Sequence, residues 1–196
     1  MDEFAIVILA AGAATRMGRP KQLLEVAGVP LVRRAAQTAL DSKCGPVIVV
    51  SGAYPLEKAL AGLAVTIADN QHWEVGMGSS ILRGLKELVG REVAGVILSL
   101  ADQPLLEPST YQKYVARQKG SGLPIVASSY SGTLGVPMLV KNEYLDQLWT
   151  LPPAQGCKGF IERNGMVVAT LDCPEAATDI DTPADYQQFK SQCYIA

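Results

Sequence analysis

Short unbroken apolar runs recur along the chain, separated by longer segments of helical spacing, and this alternation constrains the fold more than anything else in the sequence. The runs Phe4–Leu9, Val47–Ser51, Val65–Ala68, Val93–Leu98 and Ile125–Ser128, with Pro137–Val140 and Met166–Leu171 later, are rich in Val, Ile and Leu. A strand covered on both faces reads as a continuous apolar run, whereas a half-exposed strand alternates. Between the runs, Leu31–Leu40, Ser79–Leu88, Tyr111–Gln118 and Asp185–Gln192 have helical spacing, with Ile81, Leu82, Leu85 and Leu88 on one face. The pattern predicts an α/β protein, a three-layer α/β/α sandwich around a mostly parallel sheet. Gly120–Pro124 and Leu151–Gly159 read as loops and not as linkers, so one domain over residues 1–196 is expected.

Composition narrows the function. With 48% hydrophobic and 18% charged residues, the chain is not of the disordered class. Its 17 basic and 19 acidic side chains leave a net charge of −2, too small a field to draw in nucleic acid or an anionic membrane. The longest apolar runs, Phe4–Ala11 and Val93–Leu98, fall far short of the roughly 20 residues of a membrane span. Met1, Asp2 and Glu3 lead straight into a strand without a basic leader, and a cytoplasmic location is expected. Cys44, Cys157, Cys173 and Cys193 are scattered, and His72 is the only histidine, which argues against zinc, a disulfide framework or a Ser-His-Asp machine.

Ligands of open α/β sheets lie beyond the carboxyl ends of strands, so the loops there carry the chemistry. The first strand runs into Leu9-Ala10-Ala11-Gly12-Ala13-Ala14-Thr15-Arg16-Met17-Gly18-Arg19-Pro20-Lys21. Small residues let backbone N–H groups approach a phosphate, and Arg16 and Lys21 supply charge; a Gly/Ala-rich turn with two solvated cations reads equally well. It is not a Walker A loop, because Lys21 follows Pro20 and Gln22 stands where a Ser or Thr would be.

Further on, the run Val96–Leu100 enters Ala101-Asp102-Gln103-Pro104, where Asp102 is placed either to hold a divalent cation or to shape a turn. Near the C-terminus, Thr182 and Asp185 form a capping-box-like helix start with Pro183 at its first position. Just before it, Asp179 and Asp181 are read as facing opposite sides of an extended segment, so that only one faces a metal. The segment Asp69–Ser80 enters a helix, with Ser79 and Ser80 at its start as caps or as part of a polar pocket.

The string from Leu9 to Lys21 resembles the signature of the MobA-like nucleotidyltransferases, and the Leu100–Pro104 string is most similar to their molybdenum cofactor cytidylyltransferase branch. The similarity extends from Phe4 through Tyr186 with its motifs in order. It implies a GT-A-like, Rossmann-like nucleotidyltransferase fold, the nucleotide-diphospho-sugar transferase type. It implies Mg2+ (or Mn2+) as cofactor and transfer of CMP from CTP to molybdenum cofactor (molybdopterin) with release of pyrophosphate. Arg16, Lys21 and Asp102 are then catalytic. Leu9, Ala10, Ala11, Gly12, Asn70, Gly76, Met77 and Ser80 join them around the nucleotide, and metal is held by Asp102 and Asp181, with Asp179 the runner-up. Ala11, where the guanylyltransferase branch has glycine, is consistent with a pyrimidine. A molybdenum hydroxylase apoenzyme or its maturation chaperone is the implied partner.

Two positions depart from the pattern: Gly135-Val136-Pro137 replaces Gly-His-Pro, and Gly156-Cys157-Lys158-Gly159 replaces Gly-Asp-x-Gly. Both touch the acceptor side in the family. They leave open a sugar- or alcohol-phosphate acceptor, or a carrier that binds the cofactor without chemistry. Cys157 beside Lys158 is the thiol to test for a lowered pKa.

Overall fold

The computed structural model describes residues 3–193, with the side chains of Gln192 and Cys193 outside the description. Met1 and Asp2, on which the leader argument leans, and the Cys193 thiol therefore lie outside the described residues. In chain order the elements are β1 (Phe4–Leu9), β2 (Glu25–Val26), β3 (Val29–Pro30), α1 (Leu31–Asp41), β4 (Val47–Ser51), α2 (Glu57–Leu60), β5 (Val65–Asp69), α3 (Met77–Lys86) and β6 (Gly95–Leu100). Then follow α4 (Pro108–Ser121), β7 (Ile125–Tyr130), β8 (Thr133–Lys141), α5 (Leu145–Trp149), α6 (Cys157–Arg163), β9 (Val168–Asp172) and α7 (Pro183–Cys193).

A seven-stranded sheet with order β5-β4-β1-β6-β8-β7-β9 forms the middle layer. All its pairings are parallel except those of β8, which runs antiparallel to both β6 and β7. Along β1, side chains alternate between two cores: Ala5, Val7 and Leu9 pack with Ile81 and Leu85 of α3 and Phe160 of α6. Phe4, Ile6 and Ile8 pack with Val32 and Ala36 of α1 and Tyr111 and Tyr114 of α4. Burial on both sides is what the continuous apolar run demands, and each fully buried Ile or Val there stabilises by about 1.5–3 kcal/mol. The three-layer arrangement is therefore as the sequence pattern predicts.

The differences have local causes. The run expected at Met166–Leu171 starts its strand at Val168, because Gly165–Val167 forms a 3-10 turn that leaves Met166 98% exposed. The run expected at Val93–Leu98 becomes β6 only at Gly95, where pairing with Phe4 begins. Leu151–Gly159 is a loop only as far as Gly156; Cys157 opens α6. The two-residue strands β2 and β3, and the short helices α2 and α5, are too brief to show a period.

The C-terminal segment has its own small core. Ile180 is fully buried against Met17, Leu24, Val26, Leu31, Tyr186 and Phe189, and Tyr186 Oη donates to the Glu25 carbonyl at 2.6 Å. Helix α7 starts as the sequence predicts: Asp185 Oδ2 accepts from the Thr182 N–H at 2.7 Å, and Thr182 Oγ1 from the Asp185 N–H at 3.3 Å.

Candidate active site at the carboxyl edge of the sheet

A cavity of about 330 Å³ opens beyond the carboxyl ends of β1 and β6, at the lower end of the ~300–1,000 Å³ of small-molecule pockets. Leu9, Ala10, Ala11, Gly12, Arg16 and Lys21 line one side, Gly76, Met77 and Ser80 another, and Asp102, Asp179 and Asp181 a third. Segments separated by most of the chain thus meet around one space.

The loop after β1 is held by its carbonyl groups. Gln22 Nε2 donates to the Ala10 and Gly12 carbonyls at 2.8 and 2.9 Å, the Ala53 N–H to Ala11 at 2.9 Å, and Tyr54 Oη to Ala13 at 3.2 Å. Among the described residues, the N–H groups of Ala11, Gly12, Ala13 and Ala14 donate to no protein acceptor. Ala14 adopts a left-handed conformation at φ 53°, and a Cβ added at Gly12 would meet nothing within 4 Å. A run of undonated N–H groups beside open space is a cradle for an anion. The 3-10 turn Lys21–Leu23 then turns neighbouring residues about 120° apart, so that Lys21 meets the carboxylates while Gln22, 3% exposed, lines the cavity with its amide turned to the loop carbonyls.

The carboxylates meet these cations directly. Lys21 Nζ donates to Asp102 Oδ2 and, at 2.6 Å, to Asp181 Oδ1, while Arg16 donates to Asp181 Oδ2 at 2.6 Å. Burial works against the Lys21 ammonium, but Asp102 and Asp181 outweigh it and its pKa lies above the usual lysine value. Burial, with Asp181 and Asp102 close by, pushes the Asp179 carboxyl up. Two cations therefore face three carboxylates across the cavity.

Asp179 and Asp181 line the same cavity, which corrects the expectation that they face opposite sides. Residues two apart in an extended segment share a face. Burial of Ile180 between them turns both outward, and the Ile180 N–H donates to the Asp102 carbonyl at 3.1 Å, fixing them beside Asp102.

Asn70 is the one predicted binding residue that does not line the cavity. Its amide donates to Ser79 and Ser80 Oγ at 2.9 Å each, and it borders the neighbouring groove with exposed His72. Nor do Ser79 and Ser80 start the helix: α3 begins at Met77 after Gly76, whose φ of 135° suits glycine alone. Ser79 Oγ instead donates back to the Gly76 carbonyl at 2.7 Å. The thiol of Cys157 is buried and its pKa pushed up to about 12, so the lowered value that its neighbour Lys158 invites is not found.

Sequence reading missed two buried amides. Gln22 clamps the first loop, and Gln103 Nε2 donates to the Val136 carbonyl at 3.1 Å and the Ala176 carbonyl at 2.9 Å. Trp73, Leu100 and Ala101 also line the cavity unannounced. The only signal was position: each glutamine directly follows a charged residue of the site.

A divalent cation fits the carboxylates. Asp102 Oδ1 is buried without a hydrogen-bond partner, and Asp102 Oδ2 and Asp181 Oδ1 converge on one point. Among the described residues no three His, Cys, Asp or Glu side chains form a ready cage. Mg2+ needs none, since it takes one or two carboxylates and fills its shell with water and substrate phosphates.

Comparison with known proteins agrees with this geometry. Residues 6–168 match the MobA-like NTP transferase domain. The chain belongs to the MobA-like NTP transferase family. That membership makes it a nucleotidyltransferase by class, and the match takes in the whole first loop and Asp102 but ends before Asp179 and Asp181. This MobA-like chain is 32% identical over 187 residues to nicotine blue oxidoreductase of Paenarthrobacter nicotinovorans, covering 90% of this chain and 91% of that protein. Its fold, of the nucleotide-diphospho-sugar transferase type, is shared with a solved homologue of Mycobacterium tuberculosis rv0371c from Mycobacterium sp. strain JC1, with TM-score 0.80, 24% identity, and 98% and 97% of the two chains covered. Rv0371c of M. tuberculosis H37Rv, solved in complex with manganese, superposes with TM-score 0.74 at 23% identity over 96% and 98% of the chains.

Proposed function

We propose that this nucleotidyltransferase transfers CMP from CTP to the phosphate of a molybdopterin-type molybdenum cofactor and releases pyrophosphate. The observation that carries the reading is the meeting of Arg16, Lys21, Asp102 and Asp181 beside a loop of undonated N–H groups. The triphosphate rests on that loop, with Arg16 and Lys21 turning from the carboxylates to its oxygens. Positioned cations of this kind stabilise charge where it develops, without reorganisation during the reaction.

An oxygen of the acceptor phosphate attacks the α-phosphorus of CTP. One phosphorus–oxygen bond forms, the bond to the bridging β-oxygen breaks opposite it, and the departing pyrophosphate carries its charge against Arg16 and Lys21. The acceptor phosphate is already anionic, so no protein base or covalent nucleophile is needed. Asp102 and Asp181 hold a divalent cation, Mg2+ by preference with Mn2+ as a substitute, which when bound polarises the phosphate oxygens. The manganese complex of the M. tuberculosis protein supports a divalent cation in this fold. Buried Ala11 narrows the wall beside Trp73, and with a cavity of about 330 Å³ this favours a pyrimidine over a purine. The product passes to a molybdenum hydroxylase or its chaperone.

A second reading, an oxidoreductase, rests on the name of the P. nicotinovorans relative. Pyrophosphate release is therefore measured for CTP, GTP, ATP and UTP against molybdenum cofactor and against sugar and alcohol phosphates. CTP with molybdenum cofactor alone should give product. Product only with a sugar phosphate overturns the acceptor, and product with no pair, together with redox turnover of a dye substrate, favours the second reading.

A further inference from the structure

We infer that Lys21 occupies the metal position as a displaceable counter-cation, so that the divalent cation and the nucleoside triphosphate must bind together. The inference rests on the metal site proposed above and goes beyond it in assigning Lys21 a role before substrate arrives. Lys21 Nζ bridges Asp102 Oδ2 and Asp181 Oδ1, the latter at 2.6 Å, and the three side chains are only 22%, 10% and 21% exposed. A divalent cation bonded to the same two oxygens at about 2.0–2.1 Å would sit almost on the ammonium. The two positive centres exclude each other.

Cation binding alone must therefore break both Lys21 pairs and leave a part-buried ammonium without a partner. A triphosphate on the adjacent loop removes that cost, because it offers Lys21 anionic oxygens within reach of the same stem. Each ligand thus raises the affinity of the other by the same factor, commonly about 5–150-fold where two sites are coupled. The arrangement keeps the carboxylates paired in the empty enzyme and prevents a cation from settling there without nucleotide.

The test measures Mn2+ binding by electron paramagnetic resonance of the free ion, with the full chain and no acceptor. Wild type should bind Mn2+ weakly alone and, with CTP, at least ~10-fold more tightly than CTP without protein does. Lys21→Met should bind Mn2+ alone about 10-fold more tightly than wild type and gain less from CTP, whereas Lys21→Arg should stay weak. Circular dichroism checks that each variant is folded. If Lys21→Met binds Mn2+ alone no tighter than wild type, the cation sits elsewhere, as on the free Asp102 Oδ1, and the inference fails. Should Lys21→Met not fold, wild type decides: free Mn2+ in mixtures of protein and triphosphate no lower than the separate protein and triphosphate controls account for overturns it. Absence of transfer to any acceptor rejects the proposed function but leaves the Mn2+-only comparison standing.

Discussion

Arg16 and Asp181 lie 165 positions apart in the chain and meet at 2.6 Å. The contact joins the loop after β1 to the segment before α7, yet the Arg16 side chain is 72% exposed. An ion pair so open to solvent contributes about 0–1 kcal/mol to folding, and it separates easily when a better anion arrives. Arg16→Ala should therefore leave Tm nearly unchanged while kcat/KM for the triphosphate falls roughly 10²-fold. Steady-state kinetics beside a thermal melt would check this. A large loss of Tm with normal kinetics would make Arg16 a purely structural residue.

Asp102 differs in being nearly buried, with one oxygen on Lys21 and the other unpaired. Asp102→Asn keeps the shape and removes the charge. Transfer should fall by about 10²–10³-fold, and Mn2+ binding in the presence of nucleotide should weaken with it. Full activity in this variant would remove the carboxylate from the mechanism.

Gln22 reaches no reacting group but fixes the carbonyls of Ala10 and Gly12. Gln22→Leu keeps the bulk and leaves both acceptors unpaired, at a cost of about 1–3 kcal/mol. Because the N–H cradle then loosens, KM for the triphosphate should rise more than kcat falls. Urea unfolding and initial rates together would separate the two effects.

Two buried groups hold their protons at high pH only while the chain is folded. Burial raises the Cys157 thiol from 9.0 and the Tyr111 hydroxyl from 10.0, each to about 12. The unfolded chain thus releases these protons at lower pH than the folded one. The stability they contribute is whole below pH about 9 and is lost as pH climbs toward 12. Melts between pH 8 and 10.5 should show falling Tm, with a shallower fall for Cys157→Ala. In a Cys193→Ser background, Cys157 should resist iodoacetamide at pH 8 until the chain unfolds; rapid labelling in the native state would contradict its burial.

The sheet was legible because strands β1, β4 and β6 are apolar on both faces, a pattern that needs no knowledge of their partners. The reversed direction of β8 was not, since pairing direction depends on the short Ser131–Gly132 turn rather than on the composition of the strand. Arg16, Lys21 and Asp102 were legible from loops that follow strands. Gln22 and Gln103 were hidden, because what makes them important is burial against carbonyl groups brought close only by folding. Asp179 was demoted by an error of geometry: the buried Ile180 between the two aspartates is itself the sign that both face outward.

The reversal at β8 has an evolutionary consequence. Its first residues, from Thr133 to Val136, leave a tight turn at the same edge as Asp102 and are tied to that loop through Gln103. The hairpin stands beside the cavity without lining it, whereas the loops that do line it follow β1 and β6, parallel strands locked between two cores. A hairpin tip can lengthen or exchange residues without shifting the strands that carry Arg16 and Asp102. The edge of the sheet beside Asp102 can therefore vary while the cluster of Arg16, Lys21, Asp102 and Asp181 stays unaltered.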